Sequence, residues 1–592
     1  MTSGVSWAGL SARLLGPNRA HAGAAALLFA VLFLVLIWPL LNVVAVGFMT
    51  TDGRFTTEYL RLVLGDPLLL GGLLKSTLIA LGTTCVALFL ALPLAVLASR
   101  YDFPGRALLS SLLLVPMVLP PFVGAIGTRL LLGRFGPLTQ IFGDETGRGV
   151  DWLGSLRIFG VVAVEAFALY PIILLNLQAA LANVDPMLER AAANLGASRW
   201  QVFWRVTFPL VRPGLFAGCT LVSIWSFTEL GTPLMFHVYD VTPVQVFIQI
   251  TELDNPLAYA LVVVMLTCST ALYAVGKLTL GRSKRTVASK AASQSVARRL
   301  SGARAALACV PFLLVLSLAL LPNISVVLTS LSATGAWYRS LIPREFTTSH
   351  YFAALNDELV MPSLADGAQQ LGAVGNSIVY AGAATAIGVV IALGVALVVV
   401  RSEVPFRGAL DLMSMLPLAV PGLVMAFGYL SLSVQFKRAL GDATPAWLDV
   451  QRFPVVLLVL AYAARRLPYV VRSAAAGLEQ VPRDYERAAA NLGANAARVL
   501  WRIVLPLIGA SLLAGALMAF VFAMLEVSDS LILAQSAEFF PITRAIWELS
   551  QRLGDGLYVA SALGVWAMVL LTLTLVLAGA LLGRRLGAMF RV

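Results

Sequence analysis

The chain has 592 residues, of which 59% are hydrophobic and 12% are charged, and its formal net charge is +12. Because soluble domains carry about 25% charged residues, this composition excludes a soluble globular protein and predicts an integral membrane protein. The four cysteines lie in or beside apolar runs without metal-type spacing, which indicates packing residues and not a metal or disulfide site.

Six apolar runs follow one another in the first half of the chain. Each is close to the length of about 20 apolar residues that a spanning helix needs. The first run is too long for the core of a signal peptide, so we expect it to be retained as a helix. The six predicted spans lie at about 24–49, 73–98, 108–132, 157–178, 213–236 and 257–280.

The second half contains six further runs of the same kind. They lie at about 305–330, 373–400, 409–434, 453–473, 508–533 and 557–582. We therefore predict an all-α integral membrane protein with about 12 transmembrane helices. Since each half has an even number of spans, the halves are expected to be parallel repeats related by a pseudo-two-fold axis along the membrane normal.

Basic residues set the predicted orientation. Arginines crowd the loops after the second and fourth spans, and residues 281–304 carry seven basic residues and no acid. Cytoplasmic loops are enriched in Lys and Arg, so both termini are expected in the cytoplasm. We predict a first half at 1–280, a cytoplasmic linker at 281–304 and a second half at 305–592. The same loops explain the net charge, which requires no nucleic acid.

One stretch occurs twice. The sequence ERAAANLGA begins at Glu189 and again at Glu486, which is 297 positions later. Self-similarity at this spacing indicates two copies of one unit. A second matched set is 301 positions apart and pairs Pro116, Pro120 and Gly127 with Pro417, Pro421 and Gly428. The difference of four residues is expected in the outward loop after each third span.

The repeated stretch predicts a short helix, a glycine corner and a second helix. Asp185 can cap a helix that begins at Pro186, because its carboxylate accepts the free N–H groups of a first turn and proline needs no partner there. Gly196 can end that helix. Ser198 can cap the next helix, and its counterpart Asn495 is an equally good capping residue. This pattern is expected in both halves.

The second helix of each loop leads into the next span. Pro209 and Pro506 are predicted to mark a kink or a break at that point. In the first helix, small and apolar side chains share one face at helical spacing, namely Leu188, Ala191, Ala192 and Leu195. One such helix could be an ordinary amphipathic surface helix, but two at equivalent positions suggest a docking surface for a two-fold partner.

The loop resembles the EAA motif of ABC-importer permeases. In that motif a glycine is followed ten, twelve and thirteen residues later by an aliphatic residue, usually Leu, and Pro. The second copy fits with Gly493, Ile503, Leu505 and Pro506, and the first fits with Phe in place of Leu, through Gly196, Val206, Phe208 and Pro209. The chain departs from the family pattern at one position. The family has a glutamate six residues before the glycine, where this chain has Arg190 and Arg487. Glu189 and Glu486 lie one residue earlier.

The resemblance implies that these loops, at about 179–212 and 474–509, form coupling helices that seat in a separate ATPase subunit. The coupling residues it implies are Glu189, Arg190, Ala191, Ala192, Gly196, Glu486, Arg487, Ala488, Ala489 and Gly493. The sequence contains no G-x-x-x-x-G-K-[ST] motif, so we expect a transport subunit that is not an enzyme and binds no cofactor, with ATP and Mg at the partner.

The resemblance also implies the surroundings of the protein. The expected partners are two copies of an ABC ATPase subunit, an extracytoplasmic substrate-binding protein and the lipid bilayer. The expected location is the bacterial inner membrane. A secondary transporter driven by an ion gradient is the alternative of another class, although such a carrier has no ATPase to seat. A membrane enzyme is disfavoured, because no H-E-x-x-H or G-x-S-x-G motif occurs and the chain has three histidines.

The substrate is predicted less directly. Fused permeases of this length resemble the ferric iron, thiamine, polyamine and phosphonate importers. Residues 115–127, with Pro120 and Pro121, look most like the iron(III) permeases, as does the stretch from Glu229 to Pro233. Such prolines break a helix and free backbone carbonyl groups, which is tolerated only beside a cavity or other protein. A packing kink is the alternative.

Acidic residues in apolar runs give a second indication. Glu229 and Glu526 are 297 positions apart, and Asp529 and Glu165 have similar surroundings. Charges within a bilayer are costly and usually face a cavity or a partner, so these acids could form a ring suited to Fe³⁺, which prefers oxygen ligands. Alternatively, they lie at the outer end of a helix, salt-bridged or in water. Arg129 and His237 could also meet an anion, which keeps a phosphonate open.

Overall fold

The structure is a computed structural model of the chain, and it describes most of the 592 residues. The described ranges are 19–50, 53–133, 136–141, 157–249, 255–279, 298–337, 340–362, 371–418 and 420–582. The predictions made for the extreme N-terminus, for most of the basic linker and for the C-terminal tail lie outside these residues.

Most of the described residues are helical, as the apolar runs predict. In the first half the helices are α1 Arg19–Leu32, α2 Trp38–Gly47, α3 Glu58–Gly65, α4 Pro67–Arg100, α5 Arg106–Leu112, α6 Val115–Val118, α7 Pro121–Leu132, α8 Pro137–Ile141, α9 Arg157–Ala182, α10 Pro186–Asn194, α11 Arg199–Val202, α12 Phe208–Phe227, α13 Gly231–Met235, α14 Thr242–Gln249 and α15 Pro256–Thr279. Two π-helical turns, Phe33–Ile37 and Phe203–Thr207, join α1 to α2 and α11 to α12.

The second half repeats this order. Its helices are α16 Ala303–Leu331, α17 Ser349–Asn356, α18 Gly372–Arg401, α19 Arg407–Met415, α20 Gly422–Leu440, α21 Val455–Gln480, α22 Arg483–Asn491, α23 Ala496–Val499, α24 Leu505–Met524, α25 Ser528–Leu533, α26 Ile542–Gln551 and α27 Gly556–Leu582. A π-helical turn, Leu500–Val504, joins α23 to α24, and four short 3₁₀ turns lie at Leu416–Leu418, Gly441–Ala443, Ala446–Leu448 and Ala537–Phe539.

The number of spans is close to the predicted 12. Nine helices in the described part of the chain are long and apolar enough to cross a membrane, and the two bent helix pairs raise this number to as many as 11. The remaining predicted span, at 453–473, is α21. It has the same length as its counterpart α9, but Arg465, Arg466 and Arg472 make it more polar.

Both third spans are broken at their prolines, which is one of the two outcomes that the sequence left open. Helices α5 to α8 bend by 87° between Met117 and Pro121, and α19 to α20 bend by 101° between Leu418 and Gly422. Pro120 and Pro421 lie at these breaks with extended backbone, because proline interrupts the helical hydrogen bonds. The predicted spans at 108–132 and 409–434 are therefore each formed by a bent pair of helices.

The fifth and eleventh spans begin earlier than predicted and end before Glu229 and Glu526. They run over Trp200–Phe227 and Ala496–Met524, not over 213–236 and 508–533. Pro209 lies just after the π-helical turn that joins α11 to α12, and it does not break the helix. Because a π-helical turn widens the helix locally, the chain continues through the proline. The residues beyond these spans form short buried helices in place of a simple loop.

The first span of each half packs against the other half. Helices α1 and α2 contact α18, α19 and α20 of the second half, while α16 contacts α5, α7 and α9 of the first. The Ser431 hydroxyl and the Gln435 amide both bind Asn42, the latter at 2.6 Å. The Ser325 hydroxyl donates to the Gly127 carbonyl at 2.7 Å. This exchange places a continuous apolar core across both halves.

Glycines allow the two exchanged helices to approach closely. A β-carbon on Gly127 would lie 2.3 Å from the carbonyl oxygen of Pro322, and one on Gly428 would lie 2.9 Å from that of Pro39. The pairing of Gly127 with Gly428 in the repeat therefore reflects the same contact in both halves, since a side chain at either position would meet backbone.

The described residues contain one short pair of strands. Strand β1, Tyr101–Asp102, follows α4, and strand β2, Arg298–Arg299, lies at the end of the predicted linker. They pair in parallel with Tyr101 opposite Arg298. The end of the linker is thereby fixed beside the cytoplasmic end predicted for the second span. The predicted boundaries of the two halves and of the linker stay predictions.

Candidate functional site

The duplicated loops have the predicted shape. The Asp185 carboxylate accepts a hydrogen bond from the Met187 N–H at 2.8 Å, at the start of α10. Gly196 and Gly493 have φ angles of +86° and +85°, a left-handed conformation that favours glycine at the end of a helix. The Asn495 side chain accepts a hydrogen bond from the Arg498 N–H at 2.8 Å, at the start of α23. Asp185 and Asn495 therefore both cap helices as predicted.

Ser198 makes a reciprocal cap. The Gln201 N–H donates to the Ser198 hydroxyl at 3.3 Å, and the Ser198 N–H donates to the Gln201 side-chain oxygen at 2.9 Å. This exchange satisfies two N–H groups at the start of α11. The chain direction after each glycine is thus fixed by local hydrogen bonds.

Each loop is tied to the second span of its own half by one ion pair. Arg100 contacts Glu189 at 2.5 Å, and Arg401 contacts Glu486 at 2.8 Å. Arg401 also donates to the carbonyl oxygens of Leu478 and Val481 at 3.0 and 2.8 Å. The glutamates that lie one residue before the family position therefore still anchor α10 and α22.

The other side of each loop is exposed. Leu195 and Leu492 are both 89% exposed, and neither α10 nor α22 contains a buried residue. Arg190 and Arg487, which replace the family glutamate, are also exposed. Two equivalent helices therefore present apolar tips on a polar surface.

A small cavity lies between the two halves. It is lined by the break in the third span, by α9 and α21, and by the ends of the fifth and eleventh spans. Four of the five predicted pathway residues line it, namely Pro120, Pro121, Glu229 and Glu526. The fifth, Asp529, is fully buried in α25 just behind Glu526.

Two arginines that the sequence interpretation missed enter the same cavity. Arg465 and Arg466 both form ion pairs with the Glu526 carboxylate. Arg465 also lies 3.8 Å from Asp529, and neither oxygen of that carboxylate has a hydrogen-bond partner among the described residues. Glu526 is thus salt-bridged, which the sequence left open as the alternative to a ring of acids, and the ring itself stays a prediction.

These two arginines have no charged counterparts in the first half. At the spacing of 297 residues, Arg465 and Arg466 correspond to Ala168 and Leu169, which line the opposite wall. The signal for them in the sequence was a pair of adjacent cations inside an apolar run, and such residues usually mark a functional site.

The remaining charged candidates lie outside the cavity lining. Glu165 is buried and accepts hydrogen bonds from Thr83, at 3.3 Å, and from Ser226. Arg129 donates to the Met235 carbonyl at 3.4 Å. His237, between the fifth and sixth spans, has a pKa lowered to about 4 by burial and by Arg129 and Arg157. It is therefore neutral near pH 7.

The comparisons with known proteins decide the family. A family model described as binding-protein-dependent transport system inner membrane component matches residues 87–282 and again residues 384–590. The chain belongs to this family. The double match agrees with the two repeats of helices, and family membership removes the gradient-driven secondary transporter as an alternative.

Two relatives match most of the chain. The ferric transport system permease protein FbpB of Actinobacillus pleuropneumoniae is 27% identical, over 89% of this chain and 74% of its own length. The putative ferric transport system permease protein FbpB 1 of Haemophilus influenzae is 28% identical, over 80% of this chain and 70% of its own. The molybdenum transport system permease protein ModB of Escherichia coli is 35% identical, but over 27% of this chain.

The family fixes the general role of this binding-protein-dependent permease. It is the inner-membrane subunit of an ABC importer, a subunit type that is not itself an enzyme. Such a subunit works with an ATPase and with a substrate-binding protein. The spans and the cavity between the halves belong to this membrane component.

Proposed function

We propose that this permease moves ferric iron, delivered by an extracytoplasmic binding protein, across the bacterial inner membrane. The observation that carries this proposal is the pair of ferric permeases that match 89% and 80% of the chain. The match to the molybdenum permease covers 27% of the chain. The carboxylates of Glu229 and Glu526 in the cavity support the proposal, because a hard cation prefers oxygen ligands. A phosphonate, thiamine or a polyamine remains the alternative cargo.

Transport is expected to follow alternating access. The two halves form a two-state element whose rearrangement opens the cavity to one side and then to the other. The proline breaks at Pro120 and Pro421 lie beside the path and leave backbone groups available at the cavity. Glu229, Glu526, Asp529, Pro120 and Pro121 are the residues we assign to this pathway.

Coupling to ATP is assigned to the duplicated loops. We expect α10 and α22 to seat in two copies of an ATPase subunit, which binds ATP and Mg while this chain binds no cofactor. The exposed Leu195 and Leu492 are placed to enter a groove on that partner, and the Glu189 and Glu486 ion pairs would carry the movement to the second spans. This arrangement requires the loops and both termini to be cytoplasmic.

The test is transport by the permease reconstituted in proteoliposomes with its ATPase and binding protein. We expect ATP-dependent uptake of ⁵⁵Fe and stimulation of the ATPase by the iron-loaded binding protein. Thiamine, spermidine and an aminophosphonate, tested in parallel, should neither be transported nor compete. Uptake of one of these in place of iron would refute the ferric assignment and keep the permease role.

The coupling assignment has its own test. Leu195→Asp and Leu492→Asp place a charge at the exposed tips without removing a buried contact, so the permease should remain folded. We expect both variants to lose ATPase co-purification, while Leu553→Asp, at a residue that is 93% exposed in the loop before the last span, should retain it. Normal co-purification of both coupling variants would contradict the assignment.

A further inference from the structure

The two walls of the central cavity differ in how firmly their helices are joined. In the second half, Arg465 and Arg466 of α21 form ion pairs with Glu526, which follows the eleventh span. Arg466 also donates a hydrogen bond to the Phe522 carbonyl at 3.1 Å, and Arg465 lies 3.8 Å from Asp529. Two basic and two acidic side chains therefore join α21 to the end of the eleventh span.

Hydroxyl groups extend this junction to the helices that follow. The Tyr462 hydroxyl of α21 lies 2.6 Å from the Ser530 hydroxyl of α25. The Thr543 hydroxyl of α26 donates to the Glu526 carbonyl at 2.7 Å and to the Ser530 hydroxyl at 3.0 Å. All four residues are buried, so α21, α25 and α26 share one polar network that is shielded from solvent.

Gly422 adds the broken third span of the second half to the same network. This residue directly follows Pro421 at the break, and a β-carbon on it would overlap the guanidinium group of Arg465. The guanidinium group could move aside only by leaving Glu526, so the position requires a residue without a side chain. Arg465 thus contacts the backbone of the break and the end of the eleventh span at once.

The first half does not repeat this arrangement. At the spacings of the repeat, Gly422 corresponds to Pro121 and Arg465 corresponds to Ala168. The glycine and the arginine therefore differ together from their counterparts, as expected if the glycine is there to admit the guanidinium group. A large cation packed on the broken span is a property of the second half alone.

The acid at the end of the fifth span is held by its own neighbours in the chain. Glu229 accepts hydrogen bonds from the Trp225 side chain and the Gly231 N–H, and the positive charge that attracts it belongs to Arg465 of the other half. Its charge therefore ties the fifth span across the cavity and not to the third and fourth spans of the first half.

We propose that Arg465 is a positioning residue for transport. It makes the wall of the second half move as one body, so that the end of the fifth span, in the first half, carries the rearrangement that opens and closes the cavity. A shift of the end of the eleventh span against α21 would break buried ion pairs, which is costly, whereas the fifth span has no such pair to break within its own half. This inference rests on the alternating access proposed above and applies to any cargo.

The experiment compares the matching ends of the two spans in two states of the transporter. The full permease with its ATPase, in lipid nanodiscs, is studied by hydrogen–deuterium exchange without nucleotide and with ATP and vanadate. We expect the exchange rate of residues 225–236 to differ about tenfold or more between the states, because a segment that rearranges opens locally, and that of residues 522–533 to differ less than about twofold.

Two variants release the anchor in different ways. Arg465→Gln removes the positive charge, and Gly422→Ala keeps it but displaces the guanidinium group. In both, we expect exchange at 522–533 to become dependent on nucleotide by about tenfold, since hydrogen bonds to charged groups are the stronger ones. A merely structural role of Arg465 would raise exchange equally in both states.

The chain offers a matched control for each variant. Gly382→Ala adds a β-carbon where nothing lies within 4 Å, and Arg472→Gln removes a charge at an exposed position of α21. Both should behave like the wild type. Co-purification of the ATPase checks that every variant assembles.

The outcomes separate this inference from the proposed mechanism. Equal changes at 225–236 and 522–533 in the wild type would overturn the inference and leave alternating access intact. Variants that assemble but keep 522–533 independent of nucleotide would overturn the role of Arg465. No dependence on nucleotide in either segment of the wild type would refute alternating access and this inference together.

Discussion

Gly428 and Pro39 come from different halves of the chain and touch at their backbones. Because a β-carbon on Gly428 would lie 2.9 Å from the Pro39 carbonyl oxygen, Gly428→Ala should force the first span away from the third span of the second half. We expect a loss of about 1–3 kcal/mol, which is typical of overpacking, measured as a lower unfolding temperature in detergent. Gly382→Ala, where nothing lies within 4 Å, is the control and should be neutral or slightly stabilising.

The same contact recurs between Gly127 and Pro322. Gly127→Ala should be at least as damaging, because the nearest backbone oxygen would be 2.3 Å from the new β-carbon. Equal stability of Gly127→Ala and Gly382→Ala would show that the exchanged helices are not held as closely as described.

The Arg401 and Glu486 ion pair should matter for coupling. Glu486→Gln removes the charge that holds α22 against the end of α18, and hydrogen bonds to charged groups contribute about 1.5–3 kcal/mol. We expect lower thermal stability and less transport for each ATP hydrolysed. The stability control is Arg487→Gln, whose ion pair with Asp484 is largely exposed and therefore contributes little. Unchanged transport per ATP in Glu486→Gln would contradict the anchoring role.

The charged cluster of the cavity should show strong coupling between its members. Arg466→Leu reproduces the Leu169 of the first half, but it leaves Glu526 with one arginine in place of two. Loss of one partner from a buried ion pair costs about 3–5 kcal/mol. The double variant Arg466→Leu/Glu526→Gln should recover part of this loss, because the uncompensated carboxylate is gone. Additive effects in this double-mutant cycle would mean that the two side chains do not interact.

Because of His237, we predict that the folding stability of the protein depends on pH. Its pKa is lowered to about 4, so the folded protein favours the neutral ring, and the unfolded chain has an ordinary value of about 6.5. The resulting stability is complete above pH 6.5 and is lost as the pH falls toward 4. We expect the unfolding temperature of the wild type to fall more steeply across this window than that of His237→Asn. Asn is chosen because it tolerates the φ of 54° at this position.

The sequence was sufficient for the features that depend on apolar length and on local chemistry. The number of spans, the caps at Asp185 and Asn495 and the turns at Gly196 and Gly493 all follow from rules that act over a few residues. The sequence could not decide between a break and a packing kink at Pro120, because a proline within a span can kink, bend or leave a helix nearly straight, and the neighbouring helices decide which occurs.

The cavity was predicted in part for a similar reason. Glu229 and Glu526 were found because the repeat relates them, whereas Arg465 and Arg466 have no charged counterparts and were therefore overlooked. Their pairing with Glu526 depends on the approach of α21 to the end of α24, a contact between spans that no local pattern encodes. The repeat pointed to residues that occur in both halves and not to residues that occur in one half alone.

The exchange of first spans has a consequence for how the protein can be divided. Since α1 and α2 pack on α18 to α20 of the second half as well as on α15, and α16 packs on the first half as well as on α27, either half made alone would leave part of its opening helix uncovered. If the chain is divided within the linker and the two halves are expressed in the same cell, they should still associate through these helices. The covalent joint would then serve mainly to deliver the halves in equal numbers.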